Sequence, residues 1–233
     1  MSTLATESIE APPVEDDGRL SPAARRLLQA ASDLFYEQGA VATTVRQITA
    51  ACGLTPGALY NHFTSKEELL YELVRSGHRR LEDEVAAAQA AVAGDPAAEL
   101  AAVVTVYVRT HIRRRKGARV ANRDYPHLTG ERLGDIVAIR RRLRDRVVGI
   151  LDEGNARGMF HVAGGGDRPS TLVAAASVLD LCVHCGEWLR PDGRLPIEEL
   201  ERRFVTMCLR LVGCEPAAVT EAVGAGRRSA ASG

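Results

Sequence analysis

Between Thr43 and Leu70 the sequence reads TTVRQITAACGLTPGALYNHFTSKEELL, setting a phenol, a carboxamide and an imidazole side by side at Tyr60, Asn61 and His62. Two small residues, Gly57 and Ala58, stand just upstream, and Arg46 lies a short way before them. Side chains of these types could work in a groove of nucleic acid. A guanidinium can hold the O6 and N7 edge of guanine in two bonds, apolar atoms can meet a thymine methyl, and small residues permit the approach.

The surrounding residues supply the elements that would hold this set in place. Thr44 and Gln47 are spaced as a capping box, in which each side chain satisfies an orphan N–H at the start of a short helix. Ile48 faces inward, and Gly53 ends the helix where a residue without Cβ enters the left-handed region freely. Thr55 and Pro56 suit the N-cap and first position of a second helix, because proline has no N–H to leave unpaired there. Leu59 and Phe63, four apart, give it one apolar stripe and leave Gly57, Ala58, Tyr60, Asn61 and His62 on or beside the outer face. Ser65 with Glu68 reads as another capping box, opening a longer helix. Upstream, Ser21 and Pro22 open a helix with Leu27, Ala31, Leu34 and Phe35 at helical spacing, stopped by Gly39. The sum is a three-helix head containing a helix-turn-helix.

With those residues in view, the segment closely resembles the helix-turn-helix of TetR-family repressors. That pattern sets a Tyr, any residue, then His-Phe before Ser-Lys-Glu-Glu-Leu, here Tyr60 to Phe63 and Ser65 to Leu69. Thr49 departs from it, standing where the family usually has Ala. The resemblance implies a palindromic double-stranded DNA operator read by a homodimer, with Thr44, Tyr60 and Lys66 on phosphates. Base readout then falls to Arg46 and to the face made by Thr55, Pro56, Gly57, Ala58 and Asn61, with His62 beside it. It also implies a larger C-terminal domain that binds a small-molecule effector and dimerises. The segment Trp188 to Leu195, followed by an acidic-capped helix, is similar to the branch that answers to acyl-CoA thioesters.

Composition agrees with an all-α protein. Of 233 residues 45% are hydrophobic and only 4% aromatic, and no alternating strand pattern stands out, so helix formers dominate. Net charge is zero, which leaves nucleic-acid binding to be argued from distribution. The first 18 residues hold five acidic side chains and no Lys or Arg, whereas Arg19, Arg25, Arg26, Arg46 and Lys66 outnumber Asp33 and Glu37 through the head. No secretory signal opens the chain, and five cysteines without a disulfide framework suit a reducing cytoplasm. The longest apolar run, Thr171 to Val183, contains Asp180 and reads as a buried helix rather than a membrane span.

The expected organisation is a disordered arm at 1–18, a helix-turn-helix domain at 19–66, an effector-binding and dimerisation domain at 67–213, and a disordered tail at 214–233. The body reads as a helix from Pro96 to about Lys116, a short segment at Asn122 to His127, a long helix from about Thr129 to Arg157, and two more, from about Pro169 to Leu189 and from Pro196 to Val212. The helix from Pro169 is apolar nearly all round, which requires cover on both sides, and a second copy of the chain is the obvious cover.

Candidate effector residues are Tyr107, His111, Arg114, Arg140, His184 and Trp188. His184 and Trp188, four apart, share a helix face and could equally be a packing aromatic and its neighbour. Arg109, Arg113, Arg114, Arg115 and the Arg140 to Arg146 cluster could meet CoA phosphates or form a solvated helix face. Cys182-Val183-His184-Cys185 invites a metal or redox reading, but no second paired-cysteine motif completes a zinc site. No serine elbow, Walker loop or dinucleotide fingerprint occurs, so the expectation is a regulator without enzyme activity, cofactor or metal. The rival readings are a repressor sensing a drug-like or signalling molecule without CoA, and a helical ligand or redox protein that does not bind DNA.

Overall fold

The computed structural model describes residues 20–189, 195–215, 218, 219, 221 and 222, and every regular element among them is helical. The arm at 1–18 and most of the Trp188 to Leu195 segment lie outside the described residues. Of the tail, residues 214, 215, 218, 219, 221 and 222 are described, and Cys214, Val219 and Ala222 among them are buried.

The chain divides into two compact units, residues 1–76 with 113–128, and residues 77–112 with 129–233. In the first, α1 (Pro22–Gln38) starts as its residues dictate: the Ser21 side chain accepts from the Ala24 N–H and proline occupies the first turn. Next come α2 (Val45–Ala51), a 3₁₀ helix (Pro56–Asn61) and the first turns of α3 (Lys66–Ala90). α1 packs against α2, and α2 against the 3₁₀ helix. Leu27, Leu28, Ala31, Phe35, Ile48, Leu59 and Leu69 are fully buried in this unit.

One element of this unit was not foreseen. The helix expected to run from Pro96 to Lys116 stops at Arg113, and α5 (Arg115–Asp124) begins after Arg114, whose φ of −108° and ψ of 39° leave the helical region. α5 packs on α1, and a 3₁₀ turn (Tyr125–His127) follows it.

The second unit holds the remainder of α3, α4 (Pro96–Arg113) up to Ile112, α6 (Gly130–Ala156), α7 (Arg168–Trp188) and α8 (Ile197–Leu211). α7 packs against α6 and α8. It spans 21 residues, close to the expected run from Pro169 to Leu189, and its length and composition would suffice to cross a membrane. Its buried stripe is Thr171, Ala174, Ala175, Val178, Cys182, Cys185 and Gly186, whereas Val173 is 67% exposed.

Candidate nucleic-acid interface and effector core

The reading face is built by two short helices. Thr44 caps α2 in a full capping box: its Oγ accepts from the Gln47 N–H at 3.2 Å, and the Gln47 carboxamide oxygen accepts from the Thr44 N–H at 2.8 Å. Gly53 takes φ 67°, and the Leu54 N–H returns to the Thr49 carbonyl at 2.8 Å, closing the turn. Thr49 fits where a smaller residue was expected, because its buried hydroxyl donates back to the Val45 carbonyl at 3.0 Å.

The second helix is 3₁₀ rather than α, with Pro56 in its first turn and Thr55 at the cap position without a side-chain cap bond. Its faces fall as the apolar spacing predicts. Leu59 and Phe63 are buried, Thr55, Pro56, Gly57, Tyr60, Asn61 and His62 are exposed, and Ala58 is half-buried. Thr44 and Arg46 are exposed on α2. The His62 ring nitrogen Nδ1 lies 3.4 Å from the Ser21 hydroxyl, tying this helix to the cap of α1.

Lys66 is occupied differently from the phosphate contact the resemblance implied. Its ammonium donates to the carbonyls of Ala40 at 2.6 Å, Val41 at 3.3 Å and Thr43 at 2.6 Å. The second box is shifted as well: Ser65 caps the Glu68 N–H, but the Glu68 carboxylate accepts from the N–H and hydroxyl of Thr64, one residue further out.

The second unit keeps polar groups in its interior. Tyr107 and His111 are buried on α4 with rings stacked at 5.9 Å and 8°. A carbonyl can only accept, so His111 carries its proton on Nδ1 and donates to the Tyr107 carbonyl at 2.7 Å. Burial lowers the His111 pKa to about 4, against the pull of that bond and with Arg140 and His184 adding to it. Burial likewise raises the Tyr107 phenol, with Cys182 adding and Arg140 opposing. Arg140 Nη1 lies 3.1 Å from Nε2 of buried His78 and donates to it.

Two other expected effector residues are exposed, and one falls in the first unit. Trp188 is 61% exposed, stacked on buried Phe204 at 5.9 Å, and His184 is exposed with Nδ1 donating to the Asp180 carbonyl at 3.0 Å. Arg114 belongs to the first unit.

Two family profiles match the chain: bacterial regulatory proteins of the tetR family over residues 27–73, and the tetracyclin repressor-like C-terminal domain over residues 93–212. The chain belongs to the TetR family of transcriptional regulators. The HTH-type transcriptional repressor KstR2 of Rhodococcus jostii is 28% identical to it over 201 residues, covering 85% of this chain and 95% of that protein. A tetR-family regulatory protein from Rhodococcus RHA1 superposes with a TM-score of 0.75 at 31% identity, covering 84% of this chain and 100% of the other. AibR, solved in complex with isovaleryl coenzyme A and operator DNA, gives 0.70 at 26% identity, covering 82% and 98%.

Within this TetR-family chain three of the candidate arginines, Arg109, Arg142 and Arg144, are engaged by acids. Arg109 makes a two-bonded pair with buried Glu201 at 2.8 and 3.0 Å, and Arg142 holds Glu82 at 2.6 and 3.0 Å. These favour an ion-paired surface over a phosphate cradle. Cys182 and Cys185 are buried, with the Cys182 thiol pushed up by its neighbour Cys208 and by burial, and Cys185 raised to about 12 by burial.

Sequence reasoning missed His78, Arg123 and Asp124. For Asp124 a signal was present in principle, since it stands four residues after Val120 on the inner face of an amphipathic helix, where an acidic residue needs a partner.

Proposed function

We propose that this regulator is a homodimeric repressor of a palindromic operator and that a small hydrophobic effector, an acyl-CoA thioester, releases it. The observation that carries the DNA half is the exposed row Thr55, Pro56, Gly57, Tyr60, Asn61 and His62 beside Arg46, above buried Leu59 and Phe63. Thr44 and Tyr60 take phosphates, Arg46 and Asn61 read base edges, and the small residues admit the groove wall. A mobility shift with DNA flanking its own gene tests this. Loss of the shift on a scrambled duplex is expected, and equal binding to both would reject operator recognition.

The dimer is supported by apolar side chains left outside on α7 and α8: Val173, Trp188, Met207 and Leu211 are 42–67% exposed. A second copy laid on α7 would cover them, and Val173→Glu should then shift the protein to monomer in light scattering.

For the effector, the support is similarity to a regulator solved with isovaleryl coenzyme A, together with an interior that holds Tyr107, His111 and His78 among apolar side chains, with half-buried Arg140 bonded to His78. Such a mixture suits an acyl chain and the polar head of a thioester. Native mass spectrometry against a CoA-thioester panel tests it. Binding of uncharged hydrophobic compounds with no CoA species retained would favour the drug-like alternative. A protein acting on the chromosome in this way works in the cytoplasm.

A further inference from the structure

The loop Gly39–Thr43 joins α1 to α2 and closes on itself. Gly39 takes φ 88°, and both the N–H and the hydroxyl of Thr43 donate to the Gly39 carbonyl, at 3.2 and 2.8 Å. Among the groups this leaves over are four, the Ala40 N–H and the carbonyls of Ala40, Val41 and Thr43. Ala40 and Thr43 are buried, so unpaired groups there would carry a desolvation penalty.

Two side chains from other helices take all four groups. Lys66 donates to the three carbonyls, and the buried Asp124 carboxylate accepts from the Ala40 N–H at 3.3 Å. An ammonium has three N–H donors, and here each has a carbonyl, so none is left for a phosphate. A cation at the first position of α3 also opposes the positive end of the helix dipole, a cost that a cluster of carbonyls offsets. Asp124 is held in turn by Arg123, which bonds both carboxylate oxygens at 2.9 and 2.8 Å and donates to the carbonyls of Phe35 and Tyr36 in the last turn of α1.

The reading residues start where this loop ends, since Thr44 is the cap of α2 and Arg46 stands in its first turn. We propose that Lys66 and Asp124 are positioning residues for DNA recognition. They pin the Gly39–Thr43 loop through its acceptors and its donor, fix Thr44 and Arg46 against the 3₁₀ helix, and touch no phosphate. This rests on the operator-binding reading above, and wild-type protein that fails to prefer its operator rejects that reading by itself.

The test uses full-length Lys66→Met, Lys66→Arg and Asp124→Asn, with anisotropy titrations of operator and scrambled duplex across a salt series. Hydrogen exchange of the free proteins is followed in peptides spanning 39–48. Lys66→Met should lose operator affinity by about tenfold to a hundredfold while scrambled DNA is bound nearly as before, with the slope of log K against log salt unchanged. A lost phosphate contact would instead lower that slope by about 0.9 per contact and weaken both duplexes alike. Asp124→Asn, a change at a group that cannot bind phosphate, should lower the same discrimination more mildly, and Lys66→Arg should restore part of it. Exchange over 39–48 should quicken in Lys66→Met and Asp124→Asn while α6 stays protected, a result readable even if no DNA binds. Unchanged exchange, or a slope lowered by Lys66→Met with discrimination intact, would overturn the proposal.

Discussion

The two units solve opposite problems. The first packs Leu27, Phe35, Ile48 and Leu59 inside although Val41 of its tight loop is 69% exposed, engages polar groups of that loop, and leaves exposed a row of side chains suited to a groove. The second keeps His78, His111, Tyr107 and Glu201 inside while Val173, Trp188, Met207 and Leu211 face outward. A reading head must be rigid before it meets its target, because ordering on contact subtracts from affinity. In the proposed function, a ligand meets the polar groups within the body and a second chain covers the apolar groups without.

Four measurements break or sharpen this contrast. The largest effect is expected from Leu59→Ala, which empties a fully buried position under the reading face. It should cost about 2–5 kcal/mol and abolish operator binding while amide exchange in α6 stays slow. If α6 loosens equally, the units are not separable in stability.

In the body, His111 is held neutral down to about pH 4, whereas the unfolded chain protonates near the ordinary value of 6.5. Between those values the unfolded chain binds the extra proton, so stability is full above pH 6.5 and falls as the pH drops, by up to roughly 3 kcal/mol. Denaturant titrations of His111→Gln should show a flatter acid limb, and an identical limb would mean that another group sets it.

Arg46→Ala should weaken operator binding by about 1–3 kcal/mol and relax the sequence preference at one position of each half-site. Competition with single-base operator variants reads this out, and a uniform loss across variants would reassign Arg46 to the backbone. The smallest effect belongs to Thr44→Ala, which removes a cap worth ~1 kcal/mol. Thr44→Ser, which keeps the hydroxyl, should recover the melting temperature, and failure to do so would place the role of Thr44 in its methyl group.

The head was legible because its signals are local. Capping boxes, a turn glycine, a proline at a helix start and an apolar pair four apart act within a few residues, so the order of elements and the exposed face followed directly. Even there the 3₁₀ winding of Pro56–Asn61 and the shift of Glu68 to Thr64 were not readable, since both are settled by small differences in how the turn packs. The body was legible mainly as helices. The break at Arg114 escaped notice because arginines and lysine continue helical composition through it, and α5 declares itself only by what it meets on α1.

The sequence by itself determined the helical class, the helix-turn-helix, its inner stripe and the family, since each depends on contacts between near neighbours. Tertiary structure decided that Lys66 spends its charge on three carbonyls 23 to 26 residues away, that Asp124 anchors a loop 84 residues upstream, and that Tyr107 and His111 lie inside while Trp188 lies outside. Periodicity tells which side of a helix is apolar. Which polar group reaches which partner across the fold depends on distances that only packing sets.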